Sequence, residues 1–341
     1  MPDTMMLANS RPARFLPPTS AAIELVGRST AITRVQELVR RAAVLDTAVL
    51  IIAERGSDAE SVARELHARS RAGAAPWVLL ECAGGDAASL ERTIFGRAPD
   101  FAPTDLESVA PDSQLAAARG GTLFLQDVGE LPASAQARLA RIARDGEVRI
   151  DGAPVANDVR FVASAQPTMD AEVRENRFRT DLYRRLAASR IDLPALRDRP
   201  DDVPALAERL LEGVVAAGGS TNSGTLSFTQ AALALLAALN WPGNLAELRA
   251  VVERAAAERG EGMIQVEHVL PALKLERVQA PFTPSGNLRE ARLKFERDYI
   301  AAVLQHHGWR MAEAANTLGI QRPNLYRKAR QLGIPVARLS E

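Results

Sequence analysis

Residues 48–53 read Ala-Val-Leu-Ile-Ile-Ala, an unbroken apolar run with no polar alternate. A strand of this kind is buried on both faces and needs helices above and below it. Further runs occur at 77–80, at 122–125 directly after Gly120-Gly121, and at 159–164. Between residues 31 and 43, Val35, Leu38, Val39 and Ala42 recur at helical spacing, and a short loop leads from the first run to a helix at 60–68. Strands alternating with helices predict an α/β unit with a parallel sheet covered on both sides.

The texture changes after Pro194. Ala/Leu-rich helical patterns cover 203–216, 228–239, 244–258 and 266–273, with a break at Trp241-Pro-Gly-Asn244. The expected plan is a disordered lead (1–22), an α/β unit (23–194), a helical lid (195–273), a linker (274–287) rich in Pro and Gly, and an all-α unit (288–341). The lead leaves no room for a sensory domain, so input is expected through protein contact or expression level.

The net charge of zero hides an asymmetry: from 308 to 340, Arg310, Arg322, Arg327, Lys328, Arg330 and Arg338 face Glu313 alone. That is a local footprint for an acidic partner. Cys82 is the only cysteine, which excludes a disulfide framework and a thiolate metal cluster. His67, His268, His306 and His307 are scattered, and neighbours on a helix diverge, so no metal site is expected. No apolar run approaches a membrane span and no signal peptide is visible, so a cytoplasmic protein without a membrane partner is expected.

The loop after the first strand reads Ala53-Glu-Arg-Gly-Ser-Asp-Ala-Glu60. A phosphate-binding loop needs small residues whose amides face the anion and a lysine to neutralise it. Here Gly56 remains, Asp58 stands at a glycine position, and Ala59 stands where lysine belongs. Residues 1–273 contain no lysine at all. Alone, this loop would be an ordinary strand–helix turn. Four other segments follow in order: Gly120-Gly-Thr-Leu-Phe-Leu-Gln-Asp127-Val-Gly-Glu-Leu131, Phe178-Arg-Thr-Asp-Leu-Tyr-Arg-Arg-Leu186, Leu193-Pro-Ala-Leu-Arg197 and Trp241-Pro-Gly-Asn-Leu-Ala-Glu-Leu248.

Together they resemble the central AAA+ domain of sigma-54-dependent enhancer-binding activators, over roughly residues 25–335. The resemblance implies an AAA+ P-loop-type sheet domain with a helical lid, in a family of ring-forming ATPases. It also marks departures. The Walker A lysine falls on Ala59, the Walker B acidic pair on Gln126 and Asp127, the sensor I asparagine on Gln166 and the sensor II arginine on Ala246. The sigma-54-contacting Gly-Ala-Phe-Thr-Gly-Ala loop should follow Ile94-Phe95-Gly96, where the chain reads Arg97-Ala-Pro-Asp-Phe-Ala-Pro-Thr-Asp105. Each loss removes a separate element of phosphoryl transfer. A pseudo-ATPase is expected, with ATP binding weak or lost and no cofactor. Arg179 and Arg185 fall on the arginine-finger positions that reach a neighbouring subunit; an internal ion pair with Asp181 or Asp192 is the simpler account.

At the C-terminal end, Leu288, Ala291, Phe295, Tyr299 and Ala302 form one stripe of a helix over 288–305. A short helix from Met311 ends at Gly319, and a second begins at Arg322-Pro-Asn. Leu325, Ala329 and Leu332 face inward, with Ala315 and Leu318 allowing a close crossing. Arg322, Asn324, Tyr326, Arg327, Lys328 and Arg330 are the candidate DNA-contacting residues of a helix-turn-helix. This end is similar to the Fis-type domain of the same activators, which implies pairing of two copies through 288–305. The expected protein is a sequence-specific DNA-binding regulator whose degenerate AAA+ body is an oligomerisation or partner scaffold. Its partners would be duplex DNA, further copies of itself, and an active sigma-54 activator or RNA polymerase holoenzyme. The competing expectations are an active ATP-dependent sigma-54 activator and a non-catalytic subunit of a mixed oligomer; ATP turnover and mixed assembly separate them.

Overall fold

The computed structural model describes residues 22–84, 86–97, 106–217, 226–279, 310–317 and 322–332, with Ile300 and Leu304. The first apolar run becomes a strand because helices flank it on either side. In chain order the elements are α1 (Thr30–Val44), β1 (Val49–Ile52), α2 (Ala59–Ala68), β2 (Trp77–Glu81), α3 (Ala87–Phe95), α4 (Gln114–Ala117), β3 (Thr122–Gln126) and α5 (Ala133–Asp145). Then come β4 (Glu147–Ile150), β5 (Ala153–Ala156), β6 (Arg160–Ala165), α6 (Met169–Arg174), α7 (Thr180–Leu186) and β7 (Ser189–Asp192).

Five strands form one parallel sheet in the order β2-β3-β6-β1-β7, with Leu50 registered against Ala163 and Arg190. Side chains alternate across a strand. Leu50 and Ile52 therefore enter one apolar cluster with Leu80, Leu125 and Phe95, while Val49 and Ile51 enter another with Val35, Val62 and Leu66. Both faces being covered explains the absence of polar alternates. Three strands of this unit, β4, β5 and β7, were not expected. The edge strand β7 buries only Ile191, and Arg190 instead pairs with Asp170 and Asp192. β4 and β5 form a hairpin on Asp151-Gly152, both left-handed at φ 51° and 82°.

The lid comprises α8 (Val203–Ala217), β8 (Ser227–Phe228), α9 (Gln230–Ala237), α10 (Asn244–Arg259), β9 (Met263–Ile264) and α11 (Val266–Gln279). Trp241 is buried among Leu206, Leu248 and Val252, and its indole N–H donates to the Leu236 carbonyl at 3.0 Å. α11 runs on to Gln279, which corrects the expected linker start at 274. Lys274-Leu-Glu-Arg-Val-Gln279 contains good helix formers and neither Gly nor Pro, so nothing ends the helix earlier.

The C-terminal unit, taken by itself, contains α12 (Met311–Thr317) and α13 (Arg322–Gln331). Ile300, Leu304, Met311, Ala314, Ala315, Leu325 and Ala329 form its core, with Leu332 packed against it. Ile300 and Leu304 are positions that the expected stripe leaves out. The stripe residues Leu288, Ala291, Phe295, Tyr299 and Ala302, the turn at 318–321, and residues 1–21 of the lead lie outside the described residues.

Cys82 is 3% exposed, and burial, reinforced by the Asp127 carboxylate, pushes its thiol up to about 12. Near neutral pH almost no thiolate forms, so a thiol reagent should label the folded protein only as fast as it opens. Labelling at the rate seen in denaturant would contradict this burial.

Candidate nucleotide cleft and nucleic-acid interface

The carboxyl ends of β1, β3 and β6 open onto a cleft of about 440 Å³, the usual ligand position for a parallel sheet. Gly56, Asp58, Ala59, Gln126, Asp127 and Gln166 all line it. Ala246 is not among the lining residues. It lies behind the loop, where its amide donates to the Gly56 carbonyl at 2.8 Å.

The loop's polar groups are engaged internally. Asp58 caps α2, its Oδ1 accepting from the Ser61 amide at 3.0 Å, and its own amide donates to Glu24 Oε2 at 2.9 Å. Glu24 is buried and ion-paired with the equally buried Arg199, which also donates to the Glu24 carbonyl at 2.7 Å. Burial raises the Glu24 carboxyl above the usual range, against the opposing pull of Arg199. The Ser57 amide donates to the Glu54 carbonyl at 3.2 Å. Gly56 has φ +83°, and a Cβ there would collide with the Gly243 carbonyl oxygen. Close packing of the lid is therefore sufficient reason for the retained glycine.

Asn244 joins lid to loop. Its side chain donates to the Arg55 carbonyl at 2.9 Å and accepts from the Leu196 amide at 2.9 Å. Beside it, Arg197 grips Glu54 through two bonds of 2.8 and 2.6 Å, which holds the Glu54 carboxyl below the usual carboxylate range.

The wall is acidic. Glu54, Asp58, Glu60, Asp127, Glu130 and Glu172 line it against Arg55 as the basic residue. Glu54, Asp58 and Glu60 pair with Arg197, Arg249 and Arg64. Asp127, Glu130 and Glu172 have no ion pair among the described residues. A polyphosphate entering this cleft meets like charge at short range. Sequence reasoning missed Glu24, Glu130 and Glu172. Glu130 stands in the Gly120–Leu131 segment, but nothing local marks the other two. No described group of His, Cys, Asp or Glu could hold a metal ion, and no described helix is long and apolar enough to cross a membrane.

Arg179 and Arg185 lie elsewhere, at the two ends of α7, in a hollow of about 190 Å³ shared with Arg141 and Arg144 of α5. Arg179 holds Asp181 through bonds of 3.0 and 2.7 Å, as expected. Asp192 is taken by Arg190, and Arg185 instead donates to the Ala143 carbonyl at 2.9 Å, which corrects that part of the expectation.

In the C-terminal unit, Leu325 and Ala329 fix the inner face of α13. Arg322, Asn324, Tyr326, Arg327 and Arg330 are exposed and Lys328 is half-buried. The Arg322 guanidinium lies 5.8 Å from the Tyr326 ring centre, and Arg327 Nη2 donates to Asn324 Oδ1 at 3.3 Å. The outward face thus carries cations and the Asn324 amide on one helix.

Residues 25–192 match the Sigma-54 interaction domain, 197–284 the AAA+ ATPase lid domain, and 292–332 the Fis family of bacterial regulatory proteins. The Nif-specific regulatory protein of Enterobacter agglomerans is 34% identical over 305 residues, covering 87% of this chain and 57% of that protein. The transcriptional regulatory protein ZraR of Escherichia coli is 34% identical over 313 residues, covering 91% and 69%. The chain thus spans somewhat over half to about two thirds of the length of these relatives. The crystal structure of NtrX from Brucella abortus in complex with ADP superposes with a TM-score of 0.63 at 28% identity, covering 90% of this chain and 69% of that one.

Proposed function

This chain belongs to the sigma-54-dependent transcriptional regulator family, and from that premise we propose that it is a DNA-binding regulator whose AAA+ domain no longer turns over ATP and acts as a scaffold. The observation that carries this reading is the cleft itself. Ala59 replaces the phosphate-neutralising lysine, Asp58 adds a carboxylate, and Asp127, Glu130 and Glu172 have no described ion pair. Loss of a single electrostatic contact to a transition state costs about 10²–10³ in rate. Here the lysine, the acid and the arginine are replaced together, by Ala59, Gln126 and Ala246. Gly-Ala-Phe-Thr-Gly-Ala is missing from 97–105, which argues against direct remodelling of sigma-54 holoenzyme. Residues 288–341 hold duplex DNA in the cytoplasm, and the body recruits further copies, a competent family member or RNA polymerase holoenzyme.

Purified protein with Mg²⁺ and ATP should release phosphate at background rate and should not bind a fluorescent nucleotide. The triple variant Asp58→Gly/Ala59→Lys/Gln126→Asp should gain nucleotide binding, since it restores the cation and removes like charge. Wild-type turnover that disappears in Asp127→Asn would overturn the reading.

A further inference from the structure

The outward side of α13 is not uniformly charged. At about 3.6 residues per turn, Arg322, Tyr326 and Arg330 stand one above another at i, i+4 and i+8 along a single row. Asn324 and Arg327 hydrogen-bond to each other on the neighbouring row. Leu325 and Ala329, fully buried, point into the core of the unit, and that core closes without the Tyr326 ring. Tyr326 is 41% exposed, the one large apolar side chain that the described residues of this unit leave in the open.

Its neighbours give the ring a direction. The Arg322 guanidinium lies 5.8 Å from the ring centre, within the reach of about 6 Å over which a cation is drawn to an aromatic face. Arginine chains are long and extend to phosphates or to the O6 and N7 acceptors of guanine. A tyrosine ring turns on two torsions only and stays close to its own helix. With a cation at either end of its row, the ring is carried to the base edges and has no charge to offer them. The apolar group that a base pair presents in the major groove is the C5-methyl of thymine.

We propose that Tyr326 is a specificity-determining residue, its ring packing on a thymine methyl in the major groove while its face holds Arg322 alongside. The inference rests on the reading that α13 enters the groove of duplex DNA. A methyl contact makes no hydrogen bond and releases no counter-ion. Its contribution is therefore separable from that of the surrounding arginines, which depends on salt.

The test uses duplexes that the full chain selects from a random library. Each thymine of the selected site is replaced in turn by deoxyuridine, which lacks only that methyl, and affinity is read by fluorescence anisotropy. For wild type, replacement at one thymine per bound copy should cost about fourfold, the worth of one buried methyl group, at every salt concentration. Tyr326→Ala should bind the thymine duplex more weakly and should no longer distinguish it from the uracil duplex. Tyr326→Phe should keep the distinction, because the ring rather than the hydroxyl meets the methyl. Circular dichroism establishes that the variants fold, and Tyr326→Gln, a better helix former, is the second variant without a ring.

A selected site in which no thymine methyl matters would overturn the proposal. So would discrimination that survives in Tyr326→Ala or is lost in Tyr326→Phe. DNA binding itself stands in each of these cases. Failure of the wild type to select any duplex would overturn the DNA-binding reading and this inference together.

Discussion

Replacing Arg327 and Lys328 together with alanine should weaken duplex DNA binding by the full chain at least about tenfold, or 1.4 kcal/mol. Leu325 and Ala329 hold α13 in the core of its own unit from the opposite side, so the substitutions leave the helix seated. An arginine reading a base is worth about 1–3 kcal/mol, and each phosphate contact contributes about 0.9 to the slope of log affinity against log salt. If both residues contact phosphate, the slope should flatten by roughly two units per chain. Fluorescence anisotropy over a salt series reads both quantities. Affinity and slope unchanged from wild type would remove α13 as the recognition helix.

Arg199→Leu should destabilise the α/β unit by about 3–5 kcal/mol, because it strands the buried Glu24 carboxylate without its counter-ion. That is a large part of the ~5–15 kcal/mol that separates folded from unfolded domains. Adding Glu24→Leu should recover most of the loss, since a buried pair replaced by apolar groups is often neutral. Glu24 is already raised by burial, and losing Arg199 raises it further. A carboxyl whose folded pKa exceeds its unfolded value adds stability at low pH and loses it as pH rises through the folded value. The deficit of Arg199→Leu should therefore be greatest near neutrality and shrink toward the ordinary glutamate range, about 4.3. Urea unfolding at several pH values measures this. Additive losses in the double variant would show that the two residues are not coupled.

The central strands were legible because burial on two faces leaves a run such as Val49–Ile52 with no polar residue. β7 was not, since an edge strand with Arg190 and Asp192 has only Ile191 to betray it. The β4–β5 hairpin carried a readable signal in Asp151-Gly152, a dipeptide that favours the turn it makes, and pattern reading passed over it. The cleft divides in the same way. Asp58, Ala59 and Gln126 stand at motif positions, so their chemistry is visible in the chain. Glu172 reaches the cleft from α6 and Glu24 reaches the loop from a turn before α1, and only folding brings either one there. Local pattern reports which face of an element is buried; it does not report which distant carboxylate will share a site.

Asn244 sits at the meeting of the loop and the lid and makes its bonds as a carboxamide, a group with no charge to titrate or screen. The ion pairs around it respond to ionic strength, as does its longer bond to the Glu54 carboxylate, whereas its two bonds to backbone groups do not depend on mobile ions. Salt strong enough to loosen the Arg197–Glu54 and Arg249–Asp58 pairs would thus leave the bonds of Asn244 to the Arg55 carbonyl and the Leu196 amide in place. Ionic strength can weaken one part of the contact between loop and lid while a neutral part of it holds.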